Sequence, residues 1–164
     1  MASRSPSASE RPARTWALSA RVLTLLPLAL LLGGCPGDPP YEGDPEEELT
    51  EFQLEHGIGP IHEPYDPPAE VDSERAAEGA RIFQVNCQAC HRMDDDFVGP
   101  ALGDVLERRT PTFVLNMILN PEEMGRRHPV GRELRGQYPS AMPYQGIDED
   151  EARALLEYLR EEGG

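Results

Sequence analysis

Apolar positions repeat with a helical period in three stretches of the second half of the chain. Ala76, Ala80 and Phe83 share one face of a segment that opens at Asp72 or Ser73 and closes just before Cys87. A second stretch has Thr110 as N-cap and Pro111 at the first helical position, with Phe113, Val114, Met117 and Ile118 inside it; it stops at Asn120, before Pro121. The third stretch is the most regular. Asp148 caps it, Glu151 completes a capping box, and Ile147 with Ala152 forms a hydrophobic staple. Ala152, Leu155, Leu156 and Leu159 then follow the i, i+3, i+4, i+7 spacing of a buried face. No stretch alternates with period two, so residues 71–164 are expected to form one all-α domain.

The first half reads differently. Residues 1–21 hold Arg4, Arg11, Arg14 and Arg21 against a single acid, Glu10, and an apolar run from Val22 to Leu32 follows. That run is shorter than the roughly 20 residues needed to cross a bilayer. A basic start, an apolar stretch of this length and small residues at its end make a secretory signal over residues 1–34. The ending Leu32-Gly33-Gly34-Cys35 resembles a bacterial lipobox, which implies that Cys35 is lipidated as the first residue of the mature chain. The domain is therefore expected on the periplasmic side of a bacterial membrane, lipid-anchored.

Residues 35–70 are expected to be a disordered acidic tether. Between Pro36 and Glu70 the chain carries eight prolines, eleven Asp or Glu and no arginine. Such a composition buries too little apolar surface to offset its ordering entropy. A sparse apolar island of Leu49, Phe52, Leu54, Ile58 and Ile61 is expected to lie loosely on the domain.

Charge narrows the function. The chain carries −15, and removal of residues 1–34 leaves −18. That excess of acid argues against a nucleic-acid partner.

The chemistry sits in Cys87-Gln88-Ala89-Cys90-His91. Two thiols three positions apart can add to the two vinyl groups of haem as thioethers, which holds the next residue, His91, beneath the iron as proximal ligand. A zinc site would need a second ligand pair, and His56, His62 and His128 do not have the spacing for it. A thioredoxin-type redox pair would need βαβ patterning, which is absent. One covalently attached haem c is the cofactor this motif implies. It would also complete the core of a domain of about 94 residues, small for self-sufficiency.

Residues 71–164 resemble class I cytochromes c throughout. The likeness runs from Gly79-x-x-x-Phe83 through the Cys-x-x-Cys-His motif to Gly99-Pro100-Ala101-Leu102, then to Met142-Pro143 and Leu155-Leu156-Glu157-Tyr158-Leu159. It implies a haem wrapped by helices, with the first and last crossing near Gly79. It also implies that a backbone carbonyl near Pro100 accepts the other ring N–H of His91.

For the distal ligand, Met93 is too near His91 to cross the ring, and Met117 sits on an apolar helix face. Met142 lies in a loop ahead of a capped helix, and Pro143 holds its backbone extended. Met142 is the expected ligand, with Met124 and His128 as alternatives. A thioether ligand raises the potential and fills the coordination sphere, which favours electron transfer over catalysis. Arg126, Arg127, Arg132 and Arg135 are expected in a loop before Met142, solvated or forming a basic collar near the haem edge.

The stretch from Asn120-Pro121-Glu122-Glu123-Met124 to Tyr138 and Met142-Pro143 also looks like small cytochromes that serve periplasmic reductases, including nitrous oxide reductase. The expected function is an extracytoplasmic electron carrier of a respiratory chain, not an enzyme. Its partners would be redox proteins in the periplasm or membrane, with no small-molecule substrate. The alternatives are a small haem c enzyme, such as a peroxidase or sulfur-compound oxidase, and a cytochrome subunit of a larger reductase complex.

Overall fold

The computed structural model describes residues 48–163. The expected signal segment, Cys35 and the expected tether up to residue 47 lie outside the described residues. Among the described residues there are seven helices and no strand: α1 (Glu51–His56), α2 (Ser73–Asn86), α3 (Val105–Arg108), α4 (Pro111–Leu119), α5 (Pro121–Arg127), α6 (Pro129–Gln137) and α7 (Glu149–Glu162).

The three helices expected from periodicity are α2, α4 and α7, and their caps are those the sequence signals. The Asp72 carboxylate accepts the N–H groups of Glu74 and Arg75, Thr110 accepts from Phe113, and Asp148 with Glu151 forms the reciprocal box. Helices α2 and α7 cross at Gly79, where an added Cβ would sit 2.0 Å from the carbonyl oxygen of Ala154. Only a residue without a side chain allows that approach. One turn on, the Phe83 and Tyr158 rings lie 5.2 Å apart. Buried Glu157 is not an orphan charge: it accepts from Asp72 N–H at 3.0 Å and from Arg160 at 2.7 Å. The core gathers Phe83, Val114, Leu115, Ile147, Leu155, Leu156 and Leu159. Each large buried aliphatic there contributes about 1.5–3 kcal/mol.

The expected tether is corrected over its second half. From Thr50, which caps α1 with Gln53 as its box partner, the chain is folded against the domain as a strap. Ile58 is 1% exposed, and it packs with Phe113 and Met124 in a second small core. The Asn116 side chain, fully buried on α4, donates to His56 O at 3.0 Å and Ile61 O at 3.1 Å and accepts from Ile61 N–H at 3.0 Å. Tyr65 N–H donates to Thr112 Oγ1 at 2.8 Å, and Arg153 stacks over the Tyr65 ring at 4.3 Å. Two isoleucines and a row of polar acceptors on α4 thus outweigh the ordering entropy that composition alone suggested.

The expected arginine loop is also corrected, for it folds as α5 and α6. Arg127 is buried and donates to Glu123, 3.1 Å away and itself buried; Arg126 bonds the same carboxylate. Arg132 and Arg135 are exposed on α6.

Candidate functional site

Helix α2 ends where the motif begins. Cys87 is its C-cap, and its N–H still donates to Phe83 O. The next turn then winds tightly, with Cys90 and His91 N–H both donating to Cys87 O at 3.0 and 2.9 Å. That turn places Cys87, Cys90 and His91 on one wall of a cavity of about 580 Å³. The volume lies within the range of cofactor pockets. Phe83, Leu102, Phe113, Val114, Leu155 and Leu159 give it an apolar lining.

His91 is held from behind. Its Nδ1 lies 2.9 Å from Pro100 O, so Nδ1–H donates and Nε2 is left as the ligating nitrogen. The carbonyl is presented by a loop pinned back on the motif: Val98 and Gly99 N–H donate to Cys90 O, and Leu102 N–H to Arg92 O. Gly99 lies flat against the imidazole, where an added Cβ would come 2.6 Å from His91 Cε1. The structure thus brings together the four proximal residues singled out in the sequence, Cys87, Cys90, His91 and Pro100.

Burial, with Cys90 beside it, pushes the Cys87 thiol up to about 11. A thiol held protonated is the opposite of the depressed thiolate that disulfide oxidoreductases use. Among the described residues, no group of three His, Cys, Asp or Glu side chains is placed to hold a metal ion. The donor set suits haem attachment better than either rival.

Met142 lines the same cavity, between Ala141 and Pro143. The two alternative distal ligands do not. Met124 is fully buried in the second core, where its sulfur accepts from Ile58 N–H at 3.0 Å. His128 is 1% exposed; its Nδ1 accepts from Val130 N–H at 3.1 Å, so Nε2–H donates to Leu54 O at 3.2 Å. Burial is the main reason its pKa is lowered, keeping the ring neutral in that role. Met117, expected as core, also faces the cavity from α4. Four arginines reach the rim (Arg108, Arg109, Arg126 and Arg135), the first two outside the group singled out in the sequence.

Sequence reasoning missed the Asp96 carboxylate. It accepts Ala101 N–H at 2.8 Å and the Tyr138 hydroxyl at 2.7 Å. In the sequence it is one of three consecutive aspartates, and nothing local singles it out.

Comparison with known proteins agrees with this geometry. The cytochrome c family model matches residues 76–162. A cytochrome c-553-like protein of Synechocystis sp. is 30% identical over 86 residues, which cover 52% of this chain and 67% of that one. Cytochrome c from Rhodothermus marinus superposes with a TM-score of 0.65 at 39% identity, over 70% of this chain and 97% of its own. An engineered form of that cytochrome, bound to a carbene intermediate, gives 0.62 at 39% identity, over 73% and 98%. These superpositions cover more of the chain than the family model does. Only two residues follow position 162, so the additional stretch lies ahead of Ala76, where the strap is. This chain belongs to the cytochrome c family, as a class I single-haem member that carries one covalently attached haem c and transfers electrons.

Proposed function

We propose that this protein is an electron carrier of a bacterial respiratory chain, tethered by a lipid on Cys35 to the periplasmic side of a membrane. The observation that carries the reading is one apolar cavity with Cys87, Cys90 and His91 on one wall and a methionine loop on another. Cys87 and Cys90 would hold the haem by thioethers, His91 would be its proximal ligand and Met142 its distal one. Bound there, the haem supplies reversible one-electron exchange at iron. The protein's own part is to hold both ligands. Pro100 O fixes the imidazole tautomer and its orientation, and Pro143 restricts the backbone of Met142 to extended conformations. An apolar lining keeps water from the iron and favours the less charged, reduced state.

Partners would be redox proteins of the periplasm or membrane. The strap leaves residues 36–47 as the link between anchor and domain, a span of at most roughly 40 Å. A short link of this kind keeps the domain close to membrane-bound partners at high effective concentration. Replacing Cys35 with Ser is expected to move the protein from the membrane to the soluble fraction; an unchanged membrane fraction would count against the anchor.

The haem assignment is tested on the full-length holoprotein. The haem should resist extraction by acidified organic solvent, and Cys87→Ser with Cys90→Ser should release it. The near-infrared charge-transfer band of Met-ligated ferric haem should disappear in Met142→Ala and persist in Met117→Ala. The reverse pattern would move the distal ligand to α4. Rapid cyanide or peroxide binding by the unmutated ferric protein would favour the small haem enzyme over the carrier.

A further inference from the structure

The loop that carries Met142 has few attachments. Among the described residues, no backbone–backbone hydrogen bond begins or ends between Pro139 and Ile147. Several side-chain bonds there are local, from Ser140 to Ala141 O, Gln145 to Pro143 O and Tyr144 to Ile147 O. Two bonds reach across to the haem-attachment side. Asn86 Nδ2 meets Gln145 O at 3.5 Å, the outer limit of a hydrogen bond, whereas the Tyr138 hydroxyl donates to Asp96 at 2.7 Å.

The second bond has a partner that gives it a role. The other oxygen of Asp96 accepts from Ala101 N–H at 2.8 Å. Ala101 directly follows Pro100, whose carbonyl orients His91. One carboxylate therefore joins the segment that orients the proximal imidazole to the start of the loop bearing the distal methionine. We propose that Asp96 and Tyr138 form a latch across the cavity mouth, positioning residues that keep the Met142 loop closed and so limit access of outside ligands to the iron. The latch rests on the assignment of Met142 as distal ligand.

Chemistry supplies specific variants. Tyr138→Phe keeps the ring against the cavity and removes only the hydroxyl donor. Asp96→Ala removes both acceptor oxygens, whereas an Asn there could still donate its amide N–H to the Tyr138 oxygen and keep the bridge. Both bonds are solvent-exposed, so losing one should shift loop opening by a modest factor without unfolding the domain.

The experiment is cyanide binding to the ferric holoprotein at pH 7, with the near-infrared band recorded alongside. Tyr138→Phe and Asp96→Ala are each expected to raise the binding rate at least about threefold while keeping the band. The double variant should bind no faster than the faster single one, because both remove the same bond. Unchanged rates, or effects that multiply in the double variant, would overturn the latch, even if thermal stability fell. Met142→Ala is run in parallel. If the band survives there, the distal assignment fails and the latch with it; if the band is lost and Tyr138→Phe still binds at the unmutated rate, the latch alone fails.

Discussion

The two sides of the haem cavity are built to different standards of constraint. On the proximal side, the loop from Cys87 to Gly103 is laced by backbone hydrogen bonds, among them Gly99 N–H to Cys90 O and Gly103 N–H to Met93 O, both 2.9 Å. Its glycines are crowded: a Cβ on Gly99 would strike His91, and one on Gly103 would lie 2.9 Å from Met93 O. On the distal side, the loop from Pro139 to Ile147 has no such lacing, and a Cβ on Gly146 would meet nothing within 4 Å. On the proposed ligation, the difference follows from what each side has to fix. A covalent attachment with an adjacent imidazole demands one geometry, whereas a thioether on a flexible side chain reaches its place from a loop of modest precision.

The comparison is broken most directly at its glycines. Gly99→Ala places a methyl group 2.6 Å from His91 Cε1 in a buried site, so ring or loop must shift. Overpacking of this kind typically costs 1–3 kcal/mol, and about 3 kcal/mol is expected here because a ligating ring cannot turn away freely. Gly146 has φ 69° with open space around it, so Gly146→Ala carries only the backbone penalty, about 1 kcal/mol. Denaturant unfolding of both holoproteins measures the contrast. Equal losses would mean that the distal loop is as tightly packed as the proximal one.

A smaller effect tests what supports the distal wall from outside. Helix α4 contributes Phe113, Val114, Met117 and Ile118 to the cavity, and the strap clasps its outer side through Asn116. Asn116→Ala leaves the Ile61 N–H and two carbonyls without their partner in a site of zero exposure. A loss of about 2 kcal/mol is expected, since unpaired buried groups cost about 1–3 kcal/mol and water entering the gap would recover part of it. The haem band should remain, because no ligand is touched. If stability is unchanged, the strap is an ornament on the domain and not part of it.

The same two regions explain what the sequence could and could not disclose. Helices α2, α4 and α7 were legible because cap, period and terminator are all local: Asp72, Thr110 and Asp148 each bond within three residues of themselves. The proximal site was legible because thiols and imidazole lie within five positions and their chemistry is specific. The strap was not, since its hydrogen bonds run to Asn116, Asn120 and Thr112, more than 45 residues away. A proline- and acid-rich composition describes what such a segment lacks in itself, not what the rest of the chain offers it. The stretch bearing Arg126 to Arg135 was misread as a loop for a related reason. Its arginines read as solvent-facing charge, while Arg127 is in fact satisfied by a buried glutamate on its own helix. Asp96 had no local mark at all, because its meaning depends on Tyr138, 42 residues on.

The last and smallest expected effect concerns pH, and it sharpens the distal half of the comparison. The N–H of Ala101 and then the Tyr138 hydroxyl hold Asp96 below the usual carboxylate range, with the Arg108 guanidinium also favouring its charge. Reciprocally, donation to Asp96 raises the Tyr138 hydroxyl above the usual phenol range, which Arg108 partly opposes. The signs set two different limits. A depressed carboxylate contributes fully above its unfolded pKa, about 4, and loses the contribution as pH falls through the lower folded value. A raised phenol contributes fully below its unfolded pKa, about 10, and loses the contribution as pH rises through the higher folded value. The ratio of cyanide-binding rates, Tyr138→Phe over unmutated protein, should therefore be level from about pH 5 to pH 9 and fall toward one at either extreme. Taking the ratio removes the titration of cyanide itself, which both proteins share. A ratio that changes near pH 6 to 7 would point instead to a histidine.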